Sequence, residues 1–104
     1  MSYDDMPYGS RELALYIENE EPLNRREHLI YAALDRKRRA GTYDSSKAVK
    51  AFEYVVTDAA KRYSKEYGGK WNLNFSVDDR KKASEFLRDM YEGRHRATAH
   101  DKTR

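Results

Sequence analysis

Apolar positions recur every three or four residues along most of the chain. The breaks in that recurrence fall at Gly, Pro, Ser and Asp, a pattern that predicts helices joined by short turns. The first helix is expected from a Ser10 cap to about Asn19, with Leu13, Tyr16 and Ile17 at i, i+3 and i+4 and Glu12 near the positive end of the helix dipole. Pro22 has no N–H and disfavours helix at Glu21, yet it suits a helix start, so it separates this helix from a second one. Leu23, Arg26, Ile30, Ala33, Leu34 and Lys37 mark one stripe of the second helix, with Arg26 and Lys37 at its wet ends, and Gly41 stops it. In the third helix Asp44 is the cap, and Ala48, Phe52, Val55, Ala59, Tyr63 and Tyr67 recur up to the pair Gly68 and Gly69. Spanning about 44–67, roughly 35 Å, it is predicted to be the spine on which the others pack.

The run KWNLNF (Lys70 to Phe75) alternates weakly, but a lone short strand cannot build a sheet. It is expected to be a loop whose Trp71, Leu73 and Phe75 fold onto the bundle. Ser76 and Asp79 have the spacing of a capping box with Asp in place of Glu. The fourth helix then carries Val77, Ala83, Phe86, Leu87, Met90 and Tyr91 on one face and stops at Gly93. The expected fold class is all-α: a small bundle of three to four helices with a long central helix at about 44–67. Residues 1–10 are a flexible leader, 11–93 a single helical domain, and 94–104 a disordered basic tail with nothing apolar larger than Ala.

With 104 residues the chain suffices for one domain and not for two. Leu, Ile, Val and Phe number only 16, a thin core, which nine tyrosines and one tryptophan must supplement. A homodimer through the long third helix therefore stays open. The absence of cysteine excludes disulfides and thiolate zinc sites. No stretch approaches a membrane span, and the polar start lacks the features of a signal peptide, so a cytoplasmic protein without membrane contact is expected.

Charge is unevenly placed: residues 1–34 carry net −4, 35–70 net +5 and 71–104 net +2, making +3 overall. The densest cationic run, Arg36, Lys37, Arg38 and Arg39, ends the second helix, and Lys47 and Lys50 follow in the first turns of the third. With a tight turn between them these six form a candidate phosphate-binding corner, with Tyr43 available to stack on a base. The competing reading is that the same cations complement the helix dipole and keep the surface soluble. A helix-turn-helix that reads base edges is disfavoured, because the start of the third helix offers Ser45, Ser46, Lys47 and Lys50 but no Arg, Asn or Gln. The basic tail is either an electrostatic arm or simply solvated. Glu18, Glu20 and Glu21 complement a helix start better than they build a cation loop, which needs a glycine-bearing turn.

A nucleophile requires a base within reach and an orienting group. His28 lies beside Leu29 and is expected to be partly buried, while His95 and His100 fall in the tail, too far apart on a helix to share a metal. No phosphate loop, HExxH, GxSxG or dinucleotide fingerprint occurs. The expectation is no catalysis, no metal and no cofactor. Tyr54, Tyr63, Tyr67 and Tyr91 sit where rings pack at a core edge; Tyr3, Tyr8, Tyr31 and Tyr43 are less needed there, and an exposed tyrosine cluster would mark a partner surface.

Four segments in order, ELALYIENE (Glu12 to Glu20), DRKRRAGTYDSSKAVKAFEYVV (Asp35 to Val56), AAKRYSKEYG (Ala59 to Gly68) and FSVDDRKKASEFLRD (Phe75 to Asp89), resemble a group of small proteins encoded by tailed bacteriophages and prophages. The match covers most of residues 12–89 and is loosest over Pro22 to Ala33. The resemblance implies a phage or prophage origin and action in the host cytoplasm by binding a host or viral macromolecule, protein or nucleic acid; it carries over no catalytic residue. The leading expectation is a non-enzymatic accessory protein that binds another protein. The alternative is a nucleic-acid binder using Arg36, Lys37, Arg38, Arg39, Tyr43, Lys47 and Lys50.

Overall fold

Four helices follow one another in the computed structural model: α1 (Tyr8–Asn19), α2 (Glu21–Ala40), α3 (Ser45–Trp71) and α4 (Val77–Lys102). The structure describes the backbone of residues 8–71 and 75–102 and the side chains of residues 8–67 and 75–94, and no strand occurs among the described residues. The all-α expectation with a long third helix holds.

The α1–α2 junction is set by Pro22. Glu20 N–H bonds Tyr16 O (3.0 Å) and Asn24 N–H bonds Glu20 O (2.8 Å), so helical bonding passes almost unbroken through the junction. Glu20 is nevertheless extended (φ −98°, ψ 114°), and the proline in the first turn of α2 has no N–H to return. The two helices therefore make one bent rod. Contacts of Tyr16 with Glu66, Arg26 with Asp58 and Tyr31 with Phe52 show this rod running antiparallel to α3. Phe75 against Tyr63 at one end and Glu92 against Tyr43 at the other show α4 returning antiparallel to α3. Three rods in a bundle of 50 × 25 × 23 Å result.

Local signals decide most boundaries. Gly41 closes α2 at φ +75°, its N–H bonding Arg38 O (3.1 Å) while Thr42 N–H bonds Lys37 O (2.8 Å), a Schellman arrangement. Gly41→Ala is expected to lower stability by about 1 kcal/mol, because a Cβ is disfavoured in this left-handed conformation; a denaturation midpoint equal to that of the unsubstituted chain would disprove it. The Asp44 carboxylate accepts the N–H groups of Ser46 (2.9 Å) and Lys47 (3.1 Å). The Ser76–Asp79 box is reciprocal: Asp79 N–H bonds Ser76 Oγ (3.0 Å) and Ser76 N–H bonds the Asp79 carboxylate (3.2 Å).

Several expectations are corrected. α1 begins at Tyr8, so residues 8–10 are not leader, and Ser10 is fully buried within the first turn instead of capping it; residues 1–7 lie outside the described ones. The small Gly9 permits this start, since a Cβ there would come within 2.5 Å of the Asp79 side chain. α3 passes through Gly68 and Gly69 to Trp71, at a propensity cost a long packed helix absorbs, and α4 passes Gly93 to Lys102. The loop is thus shorter than expected. Residues 72–74 and the side chains of Trp71 and Leu73 lie outside the described ones, as does the expected disorder over the tail's side chains. Val77 is 72% exposed, because it stands at the edge of the α3–α4 seam beside Glu53 and Thr57, where no third helix covers it.

Leu13, Ile17, Leu23, Leu34, Phe52, Val55, Val56 and Leu87 form the aliphatic and Phe core, and Ala14 with Phe86 seals α1 against α4. Tyrosine completes it. Tyr16, Tyr31 and Tyr91 are buried, and Tyr43, Tyr63 and Tyr67 pack against them half-buried. Ring and hydroxyl act separately: the ring adds apolar area while the hydroxyl donates to a carboxylate, usually on another rod. Tyr16 donates to Glu66 (2.8 Å), Tyr91 to Asp35 (2.7 Å), Tyr43 to Glu92 (2.7 Å) and Tyr63 to Glu12 (3.3 Å). Burial first, then the accepting carboxylate, raises the hydroxyl pKa of Tyr16, Tyr43 and Tyr91 well above the ordinary tyrosine value.

Candidate functional site

Arg36, Lys37, Arg38 and Arg39 are all exposed, but four consecutive residues fan around the helix axis at about 100° each. The Arg38 guanidinium lies over the Tyr43 ring, 5.4 Å from its centroid. Tyr43 itself is built into the structure: its ring lies 5.9 Å from that of Tyr91, and its hydroxyl is held by Glu92. It is not presented for stacking on a base, which corrects that part of the expectation. Lys47 and Lys50 are exposed on α3, on its side away from the core.

That side of α3 is where exposed chemistry concentrates. Counting about 100° per residue from the buried Phe52, Lys47, Lys50, Tyr54, Lys61 and Lys65 all fall in a sector about 60° wide on the opposite side of the helix. They form a row about 27 Å long. All five are exposed, Tyr54 at 75%, and none of the four lysines pairs with a carboxylate among the described residues. The nearest acid on the α2 side, Asp58, is already held by Arg26 and by Arg62 (3.2 Å). Beside the row is a hollow of about 470 Å³ lined by Arg26, Lys50, Glu53, Tyr54, Thr57 and Lys61, among others. Glu53 and Thr57 also line a second hollow of about 310 Å³, completed by Val77, Arg80 and Lys81. The outer face of α3 is thus a cationic strip with one large aromatic side chain near its middle and a shallow depression along it.

Tyr54 was expected at the core edge and is not there; Tyr31, expected outside, is 9% exposed and packs edge-on against Phe52 (5.9 Å). The signal for Tyr54 was present in the sequence, since two residues beyond Phe52 is about 200° around the helix. Lys61 and Lys65 follow from the same count. His28 is exposed rather than partly buried, its ring 5.5 Å from that of Tyr31.

Among the described residues no cluster of three or more His, Cys, Asp or Glu could hold a metal ion, and no helix is long and apolar enough to cross a membrane. The apolar side of α3 is covered within the chain, so two copies meeting through its outer face would set lysine rows against each other. No family model, no curated protein and no solved structure matches the chain.

Proposed function

We propose that this chain is a non-enzymatic accessory protein of phage type that binds a host or viral protein, and that its partner presents an acidic surface to the outer face of α3. The observation that carries this reading is Tyr54, 75% exposed over a hollow and flanked by unpaired lysines. An aromatic ring with a polar tip loses little conformational freedom on docking and is the kind of residue that dominates binding energy. Lysines around it steer a carboxylate-rich partner and fix its register. The phage affiliation and the host-cell setting belong to this proposal and rest on the four sequence segments. A second reading, nucleic-acid binding, is favoured by the length of the unpaired lysine row, of which Lys47 and Lys50 belong to the corner first considered; phosphates are attracted by the same charges.

One comparison separates them. The chain is used to capture partners from host lysate before and after nuclease treatment, alongside Tyr54→Ala and a Lys50→Glu/Lys61→Glu variant. A protein retained after nuclease, and bound at least about 30-fold more weakly by Tyr54→Ala, supports the first reading. Capture abolished by nuclease and falling steeply with salt supports the second. Undiminished capture by both variants removes this face from consideration.

A further inference from the structure

The α1–α2 bend holds a pair of carboxyl groups that the α3 face does not involve. Glu18, in the last turn of α1, and Glu27, in the second turn of α2, come together across the bend, where burial and Glu18 oppose the charged form of Glu27 and the Tyr31 hydroxyl and Arg94 favour it. Glu27 is 2% exposed. Two carboxylates brought together away from water disfavour each other's charge. Glu18 Oε1 and Glu27 Oε2 are buried without a hydrogen-bond partner, so neither charge is fully solvated by the fold. The charged and titratable groups facing Glu27 are Glu18 from α1, Tyr31 from its own helix and Arg94 from α4. The Arg94 guanidinium lies 5.3 Å from the centroid of the Tyr31 ring. One cation facing two carboxyl groups balances one of them. The other must hold a proton or leave the site.

We propose that Glu27, closed in against Glu18 at the bend, is a proton-operated latch that keeps α1 folded back on the bundle while the Glu27 carboxyl is protonated and releases it when that proton is lost. Burial first, then the neighbouring Glu18 carboxylate, raises the Glu27 carboxyl from 4.5 to about 7, which puts the transition near neutrality. Between those two values the folded chain holds a proton that the unfolded chain has released. Stability therefore falls as pH rises through the window, the reverse of an ordinary ion-paired carboxylate. α1 is the element that yields: it is the shortest helix, with 12 residues, and the bend at Glu20 gives it a joint. Its release uncovers Leu13, Ala14 and Ile17, all fully buried when it is docked.

Amide hydrogen exchange of the full chain at pH 6 and pH 8, corrected for intrinsic rates, tests the latch. Protection of Leu13 to Asn19 is expected to fall by about tenfold or more relative to Phe52 to Ala60 on going to pH 8. Glu27→Gln, which puts an uncharged hydrogen-bonding group in the same place, is expected to keep α1 protected at both pH values. Equal protection of α1 in the unsubstituted chain at the two pH values overturns the proposal, and so does a pH dependence that Glu27→Gln leaves intact. Should that variant fail to fold, carbon NMR titration of the unsubstituted chain decides: a Glu27 carboxyl midpoint above about 6 supports the latch, and one at an ordinary carboxylate value overturns it.

Discussion

Phe52→Ala is expected to destabilise the chain by about 3–5 kcal/mol, the usual range for removing a fully buried aromatic ring. Phe52 has no exposed surface and stands in the second turn of α3, edge-on to Tyr31 at 5.9 Å. The space it leaves is bordered by helix backbones and other rings, so it closes only in part. A domain of this size has roughly 5–15 kcal/mol of stability in total, which makes the loss a large share of it. The thermal midpoint followed by circular dichroism should fall by more than about 10 °C. A fall of only a degree or two would mean that the third helix is not the spine of the bundle.

Tyr91 carries the second large effect, and two substitutions separate its two roles. Tyr91→Ala removes a ring that is 2% exposed and touches Tyr31 (5.5 Å) and Tyr43 (5.9 Å), and should cost about 3–5 kcal/mol, as for other large aromatics. Tyr91→Phe keeps the ring and removes the hydroxyl that bonds Asp35, and should cost about 1–2 kcal/mol because the acceptor is charged. Equal losses for the two would show that the hydroxyl, not the ring, supports the fold. The alkaline behaviour follows from the same geometry. Burial first, then Asp35, holds the Tyr91 hydroxyl well above its ordinary value of 10.0. Above pH 10 the folded chain retains a proton that the unfolded chain gives up, so stability declines as pH rises further. In an alkaline titration, the difference in phenolate absorbance between the unsubstituted chain and Tyr91→Phe should develop only as helix content is lost. A Tyr91 phenolate forming near pH 10 with the helices intact would contradict the burial of its ring.

Tyrosine is the answer to the shortage of aliphatic residues. Six tyrosines packed in or against the core lend their rings to it, and four of them donate a hydroxyl hydrogen bond to a carboxylate 49 to 56 residues away in the chain. This arrangement places acids at the seams of the bundle while leaving lysines on the outer side of α3. The separation of charge noticed along the chain becomes a separation in space by this route.

Gly41, Asp44 and the Ser76–Asp79 box could be read without a structure, because each acts through bonds to backbone groups at most five residues away. The periodic stripe of α3 was equally legible, and with it the position of Tyr54, since helix geometry alone sets which residues oppose Phe52. Other features depend on which rod comes to lie beside which. Ser10 is buried because α1 meets α4 at Gly9 and Asp79; Tyr43 is taken into the structure because its ring packs beside Tyr91 and Glu92 accepts its hydroxyl. Glu27 is the extreme case. A pattern of apolar positions treats a carboxylate as a surface residue, and only the bend at Pro22, by bringing Glu18 against it and shutting out water, gives it an interior place. Periodicity and capping are short-range and belong to the sequence; burial of a polar group is a property of the packed neighbours, and the tertiary structure alone decides it.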